Sequence, residues 1–333
     1  MYIKRNIGWG LILRYGWKYL IFFSLYALTI FLVYHFLDWK FIDIPFQPLT
    51  VIGIAVAFYI GFKNSQSYDR FWEARKIWGG IVNYSRTWAN QVLCLVKDDH
   101  ATKTILIHRH IAWLNALRIQ LRQPTSFSIK ESASVEKLFT KHGENNPACD
   151  ATKEFIAKEE YLDLQNRKNP ATHLVKNQGL HLQKLCDLKK ITEFDKVLFH
   201  ATLEEFYNLQ GKCERIKNTP FPRQYAYFST VFTWIFMLLL PLGLLNIFEN
   251  ELHKIADELH PWFIFLMVPL SVLLGWIFYT MEKIGSNSED PFEGRVNDVP
   301  MTALCRTIEI DLRDMLDEHE LPVKIKPKDN ILY

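Results

Sequence analysis

The stretch TVIGIAVAFYIGFKNSQSYDRFWEARKIWGGIVNYSR, Thr50 to Arg86, decides the fold. Its first half is apolar and punctuated by glycine. Its second half carries charge and tryptophan, and no proline interrupts it. The pattern predicts one long helix that leaves a membrane and continues into water. Steps of four residues keep Ile54, Phe58 and Phe62 on one face of such a helix. Gly53, Ala55, Ala57 and Gly61 lie between them, and small residues let neighbouring membrane helices approach closely. The stripe has two readings. It is a packing surface against a neighbour or lipid, as most apolar stripes are. Or it lines a dry constriction of a pore, where hydrophobic rings gate by dewetting.

The rest of the chain follows the same segregation. Tyr19 to Leu37, Ile44 to Phe62, Gln224 to Phe248 and Leu259 to Met281 hold no Asp, Glu, Lys or Arg. Each is long enough to cross ~30 Å of hydrocarbon as a helix. Between the second and third lies a polar block of about 160 residues, the size of a domain. The predicted architecture is an all-α membrane protein with four transmembrane helices. Residues 1–62 carry the first two spans, 63–223 a helical cytoplasmic domain, 224–281 the last two spans and 282–333 a cytoplasmic C-terminal segment.

Charge sets the orientation. Lys4, Arg5, Arg14 and Lys18 precede the first span with no acidic residue among them, whereas the loop between spans three and four holds Glu249, Glu251, Asp257 and Glu258 against Lys254. Basic flanks favour the cytoplasm. Both termini and the insertion are therefore expected on the cytoplasmic side of a plasma membrane, in a bacterium the inner one. The five cysteines, Cys94, Cys149, Cys186, Cys213 and Cys305, all fall in the parts assigned to that reducing compartment. A formal charge of +3 is too small to suggest nucleic acid, even with Tyr68, Phe71, Trp72, Trp78, Tyr84 and Trp88 interleaved with charge. Lipid is the expected surrounding.

The insertion reads as amphipathic helices over His100–Arg122, Ile129–His142, Thr152–Leu164, Ala171–Asp187 and Glu193–Lys217. Met301 to Glu318 reads as another, with Leu304, Ile308, Leu312 and Leu316 on one face. Glu73 stands three residues before Lys76, a spacing that supports a helical pair. Pro241 and Pro269 lie inside spans three and four, where each can kink its helix. Chemistry-bearing residues are few. His108 and His110 are two apart, so they do not share a helix face and are expected at a surface or interface, not on one metal ion. Glu159-Glu160 and Glu204-Glu205 read as solvated charge. No nucleophile–base set, phosphate loop or zinc spacing occurs, so no catalytic residue, cofactor or metal site is expected.

Two segments resemble the bestrophin family in its prokaryotic branch. One is Gly61-Phe62-Lys63-Asn64-Ser65 with Tyr68-Asp69-Arg70-Phe71-Trp72-Glu73-Ala74-Arg75-Lys76. The other is Glu289-Asp290-Pro291-Phe292 with Asn297-Asp298-Val299-Pro300 and Arg306-Thr307-Ile308-Glu309. Gly211-Lys212-Cys213-Glu214-Arg215-Ile216 and Thr219-Pro220 are similar to the family as well. The resemblance implies a homopentameric ion channel with its pore on the five-fold axis. The second span would form the neck, at Ile54, Phe58 and Phe62. It implies a further, cytoplasmic restriction made by one apolar side chain of the insertion, placed at Leu174 after Asn169-Pro170. The permeant ions would be monovalent: the family divides between anions such as chloride and cations such as sodium, and the two Phe rings, whose edges carry partial positive charge, favour anions slightly here. Its animal members open with calcium held by an acidic clasp after span four. Here Asp290 and Asp298 remain, but Arg295 stands where an acidic ligand is expected, which predicts no such clasp. Two other functions fit the four spans: a secondary transporter of small anions, and a non-conducting membrane scaffold. No internal repeat and no charged residue within a span supports the transporter.

Overall fold

The computed structural model describes residues 1–6, 8–97, 100–124, 147–252, 259–328 and 330–333. The helix expected over Ile129–His142 lies outside them. Among the described residues the fold is helical, with only isolated bridges beside the helices. In chain order the helices are α1 (Trp9–Phe36), α2 (Phe46–Leu95), α3 (His100–Arg122), α4 (Pro147–Asp150), α5 (Lys158–Gln165), α6 (Pro170–Asp187), α7 (Glu193–Asn218), α8 (Arg223–Asn250), α9 (His260–Phe265), α10 (Met267–Ser288) and α11 (Met301–Asp314). The chain forms two compact units. One comprises residues 4–69 and 221–289, the other 1–3, 70–220 and 290–333.

The first unit holds the apolar helices. Four segments are long and apolar enough to cross a membrane: Gly16–Phe36, Lys40–Leu95, Arg223–Asn250 and His260–Ser288. α10 packs on α8 and on α1. Phe23, Ala27, Leu49, Val56, Ile60, Met237, Leu240 and Met267 form the core that these helices share with α2. Pro269 has the effect expected of it. It offers no N–H to the carbonyl of Phe265, and its ring crowds that carbonyl. The fourth span accordingly breaks between α9, which ends at Phe265, and α10, which begins at Met267. Pro241 leaves α8 helical from Arg223 to Asn250.

The second unit is built on a core of large side chains. Trp78 and Trp88 of α2, Leu106 and Trp113 of α3, and Phe199 and Phe206 of α7 are buried together. Trp88 meets Phe199 edge-on at 5.4 Å and Phe206 at 5.9 Å. The aromatic content of the polar half of α2 is thus mostly core; Tyr68 and Trp72 alone of the six named aromatics stay largely exposed. Caps fix where the helices begin. Asn169 accepts from the N–H of Thr172 at 3.0 Å ahead of Pro170, and Thr192 and Asp195 make a capping box at the start of α7. In α11, Cys305, Ile308 and Leu312 are buried, with Leu316 just beyond its end. The chain ends pair with each other: the N–H of Leu332 donates to Met1 at 2.8 Å and that of Ile3 to Asn330 at 3.0 Å.

Four local expectations change. The helix expected over Thr152–Leu164 is confined to Lys158–Gln165, after a turn at 151–155. Glu73 pairs with Arg215 at 2.6 Å, not with Lys76. Glu160 is not a solvated charge: Arg109 reaches it at 2.8 Å and Asn177 at 2.8 Å, beside a cavity of about 630 Å³ between α3 and α6. His110 is core, not surface. The two histidines do point apart, since His108 meets Glu318 at 2.7 Å while His110 packs on Phe206 and Trp113.

His110 Nε2 lies 2.8 Å from Ser85 Oγ, and Ser85 donates its proton to the carbonyl of Ile81 at 2.6 Å. Ser85 must therefore accept from His110, which places a ring proton on Nε2. Burial pulls its pKa down to about 3. Between the ordinary value of about 6.5 and that value, the unfolded chain binds a proton the folded one refuses. Stability therefore falls as pH drops through this window, by up to about 1.4 kcal/mol per pH unit from this group. Melting temperatures of the solubilised protein at pH 7 and pH 5 check this: the drop should shrink in His110→Gln. An equal drop in both proteins would contradict it.

Candidate functional site

α2 is 50 residues long, yet its own subunit covers little of its apolar half. Val56, Ile60, Lys63 and Ser67 are buried, and they fall on a single seam. Ile54, Phe58 and Phe62 are 67%, 75% and 45% exposed. At about 100° per residue, this stripe lies roughly opposite the seam. The three residues singled out by spacing are thus brought together on the free side of the helix. The ring of Phe62 sits 6.1 Å from that of Tyr225, which steadies it from the side.

The small residues between them divide into two groups. A Cβ at Gly53 would come within 2.8 Å of the Phe236 ring, so this glycine allows α2 to meet α8. A Cβ at Gly61 would meet nothing, and Ala55 and Ala57 are exposed. These three leave a shallow surface for another helix to approach.

Leu174 does not have the exposure that a restriction requires. It is fully buried on the inner face of α6, in the core with Ala171, Val175 and Leu182. The stripe it belongs to is a packing stripe. Exposed apolar side chains of the same unit gather instead at the start of α7, where Phe194, Val197 and Leu198 are all exposed.

Sequence reasoning missed one feature beside this stripe. Lys63 and Glu282 each stand one residue past a charge-free stretch, and both are inside helices and buried. Lys63 Nζ reaches Glu282 Oε1 at 2.9 Å. The only signal in the sequence was that two apolar runs end in opposite charges.

Carboxylates of the acidic turn after α10 have partners within the protein. Asp298 accepts from the N–H groups of Phe292 at 2.8 Å, Gly294 at 2.5 Å and Val299 at 2.6 Å, and Arg122 reaches it at 3.3 Å. Lys217 meets Glu293 at 2.5 Å, with both side chains buried. Phe292 and Gly294 both have φ of 80°, the tight left-handed turn that points these N–H groups at one carboxylate. Two acidic side chains of the turn are thereby occupied by protein cations, so the donor set does not fit a calcium ion that needs roughly 6–8 free oxygens. No group of three or more His, Cys, Asp or Glu is placed to hold a metal among the described residues.

A family model described as Bacterial/Fungal Bestrophin protein matches residues 9–314. The chain is 29% identical over 288 residues to the voltage-dependent anion channel-forming protein YneE of Escherichia coli (strain K12), covering 86% of this chain and 82% of that one. A protein described in the same words in Mesorhizobium japonicum is 27% identical over 289 residues, covering 86% and 79%. Among solved structures, a bacterial bestrophin homologue from Klebsiella pneumoniae superposes with a TM-score of 0.73 at 24% identity, over 90% of this chain and 98% of that one. The four apolar helices, the helical second unit and a match spanning nearly the whole chain place this protein in the bestrophin family.

Proposed function

We propose that the protein is a passive ion channel, a homopentamer in which α2 of each subunit lines the central pore. The observation that carries this reading is the exposure of Ile54, Phe58 and Phe62 opposite the buried seam of α2. Five copies around an axis turn that stripe into three apolar rings. Such rings give an ion nothing in place of its hydration shell, so conduction needs the neck to widen and fill with water. Anions such as chloride are the favoured cargo. Phe edges carry partial positive charge, and two of the three rings are phenylalanine. The similarity to proteins named as anion channel-forming supports the same choice. A second restriction belongs at the exposed apolar start of α7, around Phe194, Val197 and Leu198, in place of Leu174.

The protein is read as residing in a bacterial inner membrane with both termini in the cytoplasm. Pairing of residues near Met1 with those near Tyr333 keeps the two ends on one side, as an even number of spans requires. Opening proceeds without calcium, because Arg122 and Lys217 already close the acidic turn.

Currents from purified protein in planar bilayers test this reading. In asymmetric sodium chloride the reversal potential should lie toward that of chloride; a value at the sodium potential would remove the Phe-edge argument. Replacing Ile54, Phe58 and Phe62 together with alanine should raise conductance, and unchanged currents would place the constriction elsewhere. Adding calcium should leave the current unaltered, and activation would contradict the reading of the turn. Leu174→Ala should lower thermal stability by about 2–5 kcal/mol, as buried leucines do, without altering single-channel conductance. A changed conductance at unchanged stability would restore Leu174 to the pathway.

A further inference from the structure

Lys63 and Glu282 are among the most deeply buried charged side chains of their unit, at 2% and 5% exposure. Four polar contacts converge there. Lys63 donates to Glu282 Oε1 at 2.9 Å and to Ser286 Oγ at 2.7 Å. Ser286 donates on to Glu282 Oε1 at 2.8 Å, and Thr230 donates to the same oxygen at 2.7 Å. One carboxylate oxygen thus ties α2 to α8 and α10. The helices close tightly at this level. A Cβ on Gly285 would collide with Asn64, whose amide donates to the carbonyl of Met281 at 3.1 Å.

A buried ion pair is a poor source of stability. The desolvation of both charges offsets most of their attraction, and an apolar pair of the same volume often does as well. What a network with a single satisfied geometry does provide is a fixed arrangement. Here the arrangement concerns the helix that carries the neck. Lys63 directly follows Phe62, about 100° around α2. Its ammonium lies on the seam that backs the exposed stripe. Any rotation of α2, or any retreat of its front face, has to move Lys63 against Glu282.

We propose that the Lys63–Glu282 pair is a positioning element of the channel. It fixes the rotation of α2 at the inner end of the neck and holds Phe62 in the narrow arrangement. The proposal rests on the neck reading above. Neither residue is assigned contact with the permeant ion. Their effect is exerted through the placement of Phe62.

The test is a double comparison in planar bilayers, with the assembled mass in detergent measured for every protein. Lys63→Met combined with Glu282→Gln removes both charges at nearly constant volume. In the otherwise native channel it should raise the mean current by roughly fivefold. In a Phe62→Ala background, where there is no ring left to hold, the same pair of changes should alter the current by less than about twofold. Unchanged current from a fully assembled protein would overturn the proposal. So would an equal fold-change in both backgrounds, or a fall in current in proportion to lost assembly. If the double variant does not assemble, Thr230→Val with Ser286→Ala keeps both charges and loosens the network. That variant should raise the current in the same direction, and native-like currents from it would overturn the proposal. A Phe62→Ala channel with native current would instead defeat the neck reading itself.

Discussion

The apolar half of a fifty-residue helix, attached to its own subunit along one narrow seam, must find the rest of its cover elsewhere. That constraint organises the molecule. The backbone of α2 satisfies itself, as any membrane-crossing element must. Its side chains do not. The free face carries large apolar groups at Ile54, Phe58 and Phe62 and small ones at Ala55, Ala57 and Gly61. The large ones suit an axis, where bulk narrows a passage. The small ones suit the flank of an identical helix. Lipid alone would not call for this mixture, and further along the same helix the exposed residues become polar, at Ser65, Gln66 and Asp69. The remaining helices of that unit serve as backing: α8 and α10 grip the seam and leave the stripe uncovered.

Much of this was legible before any coordinates, because it depends on local rules. Charge-free runs mark the spans. Asn169-Pro170 and Thr192 mark helix starts through the N–H groups they satisfy, and α6 and α7 begin there. α3 spans His100–Arg122, as its apolar spacing predicts. Spacing did not say which apolar faces are buried and which exposed. An apolar side chain lining a pore and one filling a core obey the same periodicity. Leu174 and Phe58 are therefore indistinguishable by spacing, and only packing separates them. His110 was misread for the same reason: α3 is enclosed by several neighbours, and a short window cannot show how many.

Long-range polar pairing was illegible altogether. Lys63 and Glu282 are 219 positions apart, and no propensity or spacing connects them. The acidic turn shows the intermediate case. Arg295 was a visible departure from a calcium site. The side chains that neutralise the turn are others, Arg122 and Lys217, which come from α3 and α7. In both places opposite charges from distant segments of the chain meet at buried positions.

On the reading proposed here the stripe of α2 faces a shared axis and not lipid. Single cysteines at positions 54, 58 and 62, in a background lacking the exposed thiol of Cys94, address it directly. A charged, membrane-impermeant thiol reagent applied during recording should react at each position and change the current. Reaction only with lipid-soluble reagents, at undiminished current, would mean that the stripe faces the bilayer and that ions pass elsewhere or not at all.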